Sequence, residues 1–84
     1  MNMAEPKIVP DRVSDQIGIY CPEPIFRTRQ ELDEMEAGQV LEVIADDPAT
    51  AEDIPRLAKR TGNELLRFYS EGNINHFFIR KTGG

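Results

Sequence analysis

Apolar residues recur along this chain in two kinds of rhythm, short β-type runs and stretches of helical spacing, and the two alternate. Val13, Ile17 and Ile19 punctuate a first strand that runs from Val13 to Tyr20. Ile25, Phe26, Leu32 and Met35 then share one face of a helix, with Arg27, Gln30, Glu31, Asp33 and Glu34 largely off it. Gly38 is placed to stop that helix. Val40 to Ala45 is nearly continuous apolar sequence with β-branched content, which suits a central strand. A second helix ends near Gly62 with Ile54, Leu57 and Ala58 inward; either Thr50 caps it and Pro55 bends it early, the preferred reading, or its regular part starts only near Asp53. Leu65–Tyr69 and Ile74–Ile79 read as two strands joined by the hairpin chemistry of Glu71-Gly72-Asn73.

The order is βαβαββ. Glu42, Arg67, His76 and Arg80 fall on strands and need water, so both helices are expected on the other face. The expected class is α/β (α+β): a two-layer sandwich, with a four-stranded mixed sheet, two helices on one face and right-handed crossovers. The domain is expected over residues 13–82, after a flexible N-terminal tail over residues 1–12.

Length and charge narrow the function. A chain of 84 residues buries only about two-thirds of its unfolded surface, which leaves no room for a deep catalytic cavity. A surface site, a partner or a carried group is the expected mode of action. Ten Lys and Arg against fifteen Asp and Glu give a net charge of −5, which disfavours direct nucleic-acid binding and suits a basic or mixed-charge protein partner. The single cysteine cannot form an internal disulfide, and there is no signal-peptide pattern and no apolar run of membrane-spanning length. A cytoplasmic monomer without membrane contact is expected.

Candidate chemistry concentrates where the first strand gives way to the first helix, at Gly18-Ile19-Tyr20-Cys21-Pro22-Glu23-Pro24. Proline suits a first helical turn, so the prolines flanking Glu23 mark a helix N-terminus. Cys21 lies at or just before that terminus, where N–H groups and the helix dipole favour a thiolate. The plainer reading of a lone cysteine is a small buried hydrophobe. Gly18 is expected to let another backbone approach closely. Glu23 and the Asp46-Asp47 pair oppose a thiolate if they are near, and Arg27 and Arg29 either offset them or form a solvated helix face. Asp46-Asp47-Pro48 reads better as a turn and helix cap than as a metal site, and no metal is expected. His76 reads as an ordinary strand residue rather than a catalytic base. Gly83-Gly84 reads as a mobile tail; the alternative, a thiocarboxylate-forming diglycine, belongs to β-grasp carriers that begin with a hairpin, unlike this chain.

Asp15-x-x-Gly18-x-x-Cys21-Pro22-Glu23-Pro24, followed by Gly38, the strand Leu41 to Ala45, Asp46-Asp47-Pro48-Ala49-Thr50, Asp53-Ile54-Pro55 and Ile79-Arg80-Lys81, resembles the TusA/SirA family of small sulfur carriers. The likeness runs from about Asp15 to Lys81. It implies the same βαβαββ sandwich and a sulfurtransferase that works without a cofactor. Cys21 would accept sulfane sulfur as a persulfide and hand it to the next protein, and Pro22 and Pro24 would fix the loop so that the sulfur projects. The implied donor is a cysteine desulfurase or a rhodanese-like protein. The implied acceptor is a relay protein for tRNA thiolation, or an enzyme of sulfur oxidation or cofactor assembly. By analogy Asp15 and Asp47 are partner-contact or loop-shaping positions, and Arg27, in a helix often lysine-rich in the family, is a further contact position. Tyr20 departs from the small or basic residue that many members carry. The alternative function is a non-enzymatic regulatory or protein-interaction module of the same fold.

Overall fold

The computed structural model describes residues 8–83. Residues 1–7 of the expected tail, and Gly84 of the diglycine, lie outside the described residues. Along the chain come β1 (Arg12–Gln16), α1 (Glu23–Asp33), β2 (Val40–Ala45), α2 (Thr50–Arg60), β3 (Glu64–Glu71) and β4 (Ile74–Arg80). The four strands form one mixed sheet in the order β1-β2-β4-β3. β1 runs parallel to β2, and the other pairings are antiparallel. The expected α+β architecture is what the chain adopts.

β2 is central because every second residue is fully apolar and inward. Leu41, Val43 and Ala45 are buried and sit opposite Ile79, Phe77 and Asn75 of β4, on one face of the sheet. Leu32 of α1, Met35 just past its end, and Ile54 and Ala58 of α2 join the same core cluster, so both helices cover that face. Phe77 anchors the layer and stacks on Phe68 with ring centroids 4.7 Å apart. The opposite face keeps Glu42, Arg67, His76 and Arg80, as expected from their polarity. There Tyr69 stacks on His76 at 4.5 Å, and His76 Nδ1 lies 3.3 Å from Glu42 Oε2.

Several element-level expectations are corrected. β1 ends at Gln16, four residues before Tyr20, because the chain turns through Ile17 and Gly18. Its inward residues are the polar Ser14 and Gln16, while Val13 is 53% exposed. Pairing with β2 decides this: Ser14 lies opposite Val43 and Gln16 opposite Ala45, which commits both to the helix side. Gln16 Nε2 donates to Ser14 Oγ and to Thr28 Oγ1, each at 3.0 Å, and its Oε1 is buried without a protein partner. The β1 end of the helix-covered layer is thus polar. Asp11, just ahead of β1, exchanges hydrogen bonds with Val40 through both its N–H and its carboxylate, at 2.8 Å each.

α1 ends at Asp33 rather than at Gly38, with Glu34 as its C-cap residue. No basic residue lies in its last turn. Lys81, from the far end of the chain, supplies the cation instead, donating from Nζ to the Leu32 carbonyl at 2.7 Å. Gly38 serves the following turn with φ +94°, and its N–H donates to the Lys81 carbonyl at 2.7 Å. Thr28 occupies the inward position, and Phe26 is 62% exposed. Replacing Phe26 by Ser should therefore change stability by less than about 0.5 kcal/mol in urea titrations, the range of surface substitutions. A loss on the order of 2 kcal/mol would place Phe26 in the core.

α2 begins at Thr50 and runs through Pro55. Thr50 is its first residue rather than its cap: its N–H and hydroxyl both donate to the Asp47 carbonyl. Among the described residues no helix is long and apolar enough to cross a membrane.

Candidate functional site

In a parallel pair such as β1 and β2, the loops that follow the strands leave from the same edge of the sheet. Gln16 and Ala45, the last residues of the two strands, lie side by side, and Asn75 at the start of β4 faces Ala45. The β1–α1 loop, the β2–α2 loop and the β3–β4 turn therefore gather at one edge. In open sheets with parallel strands this is where ligands are handled.

The β1–α1 loop is held by the β2–α2 loop through two adjacent carboxylates. Asp46 Oδ1 accepts the Gly18 N–H at 2.9 Å, and Asp46 Oδ2 accepts the Tyr20 hydroxyl at 3.4 Å. Asp47 Oδ2 accepts the Cys21 N–H at 2.7 Å, a short charge-assisted bond. Asp47 Oδ1 accepts the Ala49 N–H at 3.0 Å at the entrance to α2. One carboxylate thus ties the cysteine's backbone to the start of the second helix. Asp46 also acts on Tyr20, whose phenol is raised above its ordinary pKa chiefly by the neighbouring negative charge.

Cys21 is a free, exposed thiol, not a buried packing residue. Pro22 is the N-cap residue of α1, the Cys21–Pro22 peptide bond is cis, and Pro24 is buried in the first turn. Glu23 is exposed between them. The N–H groups that the sequence assigns to the sulfur are engaged elsewhere. Glu23 N–H donates to the Tyr20 carbonyl at 3.1 Å, and Ile25 and Phe26 N–H both reach the Pro22 carbonyl. The sulfur therefore projects from a helix start whose first donors already have partners.

Gly18 has φ +81°, and a Cβ there would meet nothing within 4 Å. The left-handed turn, not the close approach expected from sequence, is what calls for glycine. Asp47 is 8% exposed with both oxygens taken by backbone N–H groups. Each oxygen takes one backbone N–H, from Cys21 and from Ala49, which is the arrangement of a loop-shaping residue. Asp15 is exposed on β1 and accepts the Ile17 N–H at 3.1 Å. Arg27 is exposed on α1 in a groove of about 570 Å³ shared with Glu23, Phe26 and Gln30. His76 sits on the uncovered face of the sheet between Glu42 and Tyr69. Among the described residues no three His, Cys, Asp or Glu side chains cluster as a metal site. Sequence reasoning missed the Asp46 clamp and its tie to Tyr20. The parallel placement of β1 and β2 was the signal available for it.

With this geometry in view, likeness to known proteins becomes informative. Residues 13–81 match the family described as sulfurtransferase TusA. The chain belongs to that family. Within it, the sulfur carrier protein TusA of Allochromatium vinosum is 46% identical over 72 residues, covering 86% of this chain and 95% of that protein. A protein of Archaeoglobus fulgidus described as a candidate sulfur carrier is 54% identical over 67 residues, covering 79% of this chain and 87% of its own. The crystal structure of a SirA-like protein from Desulfitobacterium hafniense superimposes with a TM-score of 0.75 at 23% identity, over 86% of this chain and 99% of that one. That last likeness speaks for the fold. For this TusA-family chain, membership and its named relatives support a role in carrying sulfur between a donor and an acceptor protein.

Proposed function

We propose that this protein is a persulfide carrier working through Cys21. The observation that carries the reading is an exposed thiol on a loop whose backbone is fixed by the buried Asp47 carboxylate, in a chain of the sulfurtransferase TusA family. The Cys21 thiolate attacks the outer sulfur of a persulfide on the donor. A new S–S bond forms on Cys21 Sγ, the donor's own S–S bond breaks, and the donor cysteine leaves as a thiolate. An acceptor thiolate then attacks the outer sulfur of Cys21–S–SH, and Cys21 leaves unchanged. No electrons are gained or lost overall, so the cycle needs neither metal nor redox cofactor.

The roles of the surrounding residues follow. Gly18 provides the turn into the loop, and Pro22 and Pro24 set the entry into α1. Glu23 and Arg27 are exposed on α1, which begins just after Cys21, and Asp15 is exposed on the strand before it. They are the charges a partner meets on approach, and they act on encounter rate and selectivity more than on affinity. The donor would be a cysteine desulfurase or a rhodanese-like protein, and the acceptor a protein of tRNA thiolation, sulfur oxidation or cofactor assembly.

The test is to incubate the protein with a cysteine desulfurase and L-cysteine and read intact mass. A gain of one sulfur atom that vanishes on reduction is expected. No gain with desulfurase or rhodanese-like donors would favour a regulatory or interaction module instead.

A further inference from the structure

Tyr20 directly precedes the reactive cysteine, yet carrier chemistry gives it no task. Its side chain is 55% exposed, and its hydroxyl reaches Asp46 only at 3.4 Å. Together Tyr20 and Asp46 wall one side of an open pocket of about 550 Å³. Pro48 and Ala51 form the side toward α2, and Asn73 and Asn75 the side toward the β3–β4 turn. This size lies within the range of sites that accept organic ligands.

We infer that this pocket is a subsite for a lysine or arginine side chain adjoining the partner's reactive cysteine, and that Tyr20 and Asp46 select for it. The inference rests on the carrier reading and deepens it. Among the described residues Asp46 is the only one lining the pocket that is charged at neutral pH, so an anionic side chain would meet repulsion with no compensating cation there. A cation meets a carboxylate and can lie against the face of the Tyr20 ring. Pro48 and Ala51 offer apolar surface for the methylene stem that precedes such a head group. Asn75 is already held by Thr50 and Ser70, so that wall is fixed before anything binds. The raised Tyr20 phenol reports the same negative potential.

Position gives the pocket its meaning. Tyr20 directly precedes Cys21, and Asp46 directly precedes the Asp47 that holds the Cys21 N–H. A side chain seated here therefore belongs to a residue about one or two places from the cysteine that meets Cys21, since consecutive Cα atoms are about 3.8 Å apart. Neighbouring sequence on the partner, rather than its cysteine alone, would then decide which protein exchanges sulfur with this one.

Thiol–disulfide capture tests this without any sulfane donor. Short cysteine peptides carrying either Arg or Glu beside the cysteine are prepared as mixed disulfides with 2-mercaptoethanol. The Cys21 thiolate attacks the peptide sulfur, Cys21–S–S–peptide forms, and 2-mercaptoethanol leaves as the thiolate. Adducts at equilibrium are counted by intact mass. The Arg peptide should be captured about five- to tenfold more than the Glu peptide, the size expected of a partly exposed ion pair with a cation–π contact. Asp46→Asn keeps an oxygen for the Gly18 N–H and removes only the charge, and Tyr20→Ala removes the ring. Each should bring the preference within about twofold, the range left to general charge attraction. Asp33→Asn, the same charge change at the far end of α1, should leave it intact. No capture, equal capture, a preference unchanged in Asp46→Asn or Tyr20→Ala, or an equal loss in Asp33→Asn overturns the inference. Persulfide loading of Cys21 is read separately, so failure of the carrier reading and failure of the subsite are distinguished.

Discussion

Cys21→Ser should abolish sulfur loading while leaving the fold intact. A serine hydroxyl is not ionised near neutrality and forms no persulfide, so the mass gain seen with desulfurase and L-cysteine should fall below detection. The thiol is exposed and contributes no core volume, so the unfolding midpoint should correspond to a change of less than about 0.5 kcal/mol. The two readouts must be taken together. Loss of loading with loss of folding would mean that Cys21 is needed for packing. Loading that persists in the variant would overturn the carrier mechanism outright, because this chain has no second cysteine to receive sulfur.

How much of this was legible in the sequence differs between the two helices and between the two ends of the sheet. β2, α2 and β4 announce themselves because their buried positions are apolar: Leu41 and Val43, Ile54 and Leu57, Phe77 and Ile79. β1 misleads because the layer it faces is polar at that point. Ser14 and Gln16 turn inward toward Thr28, and the hydrophobic Val13 is left at the surface. A pattern of apolar residues cannot report a strand whose inward groups satisfy one another through hydrogen bonds. α1 misleads for the same reason at Thr28, and a second time at its end. The Lys81 that caps it comes from 49 residues further along the chain, beyond the reach of any local stop signal.

The site was legible as a position but not as a mechanism of support. The prolines around Glu23 mark where α1 starts, and they locate Cys21 at its threshold. They suggest that the helix start solvates the sulfur, yet its first N–H groups are already bonded to the Tyr20 and Pro22 carbonyls. What holds the loop comes from another segment altogether. Asp46 and Asp47 read in isolation as a turn, and only the side-by-side ends of β1 and β2 bring them to Gly18 and Cys21.

For Asp47 the resemblance allows partner contact or loop shaping, and two substitutions separate the two roles. If the carboxylate served only as a charge for a partner, Asp47→Asn would weaken association and leave stability unchanged. As a clamp it accepts two N–H groups, from Cys21 and Ala49, and an amide offers one oxygen while turning an NH₂ toward the other donor. Asp47→Asn should then cost about as much as Asp47→Ala, on the order of 1–3 kcal/mol, the cost of leaving a partly buried donor unsatisfied. Sulfur transfer from a protein donor should fall about ten- to hundredfold in both variants, since small displacements of a reacting group are penalised that strongly. Alkylation by iodoacetamide, a small reagent that needs no fixed loop, should change little by comparison. A full-rate Asp47→Asn variant with an unchanged unfolding midpoint would overturn the clamp and leave Asp47 the partner-contact role.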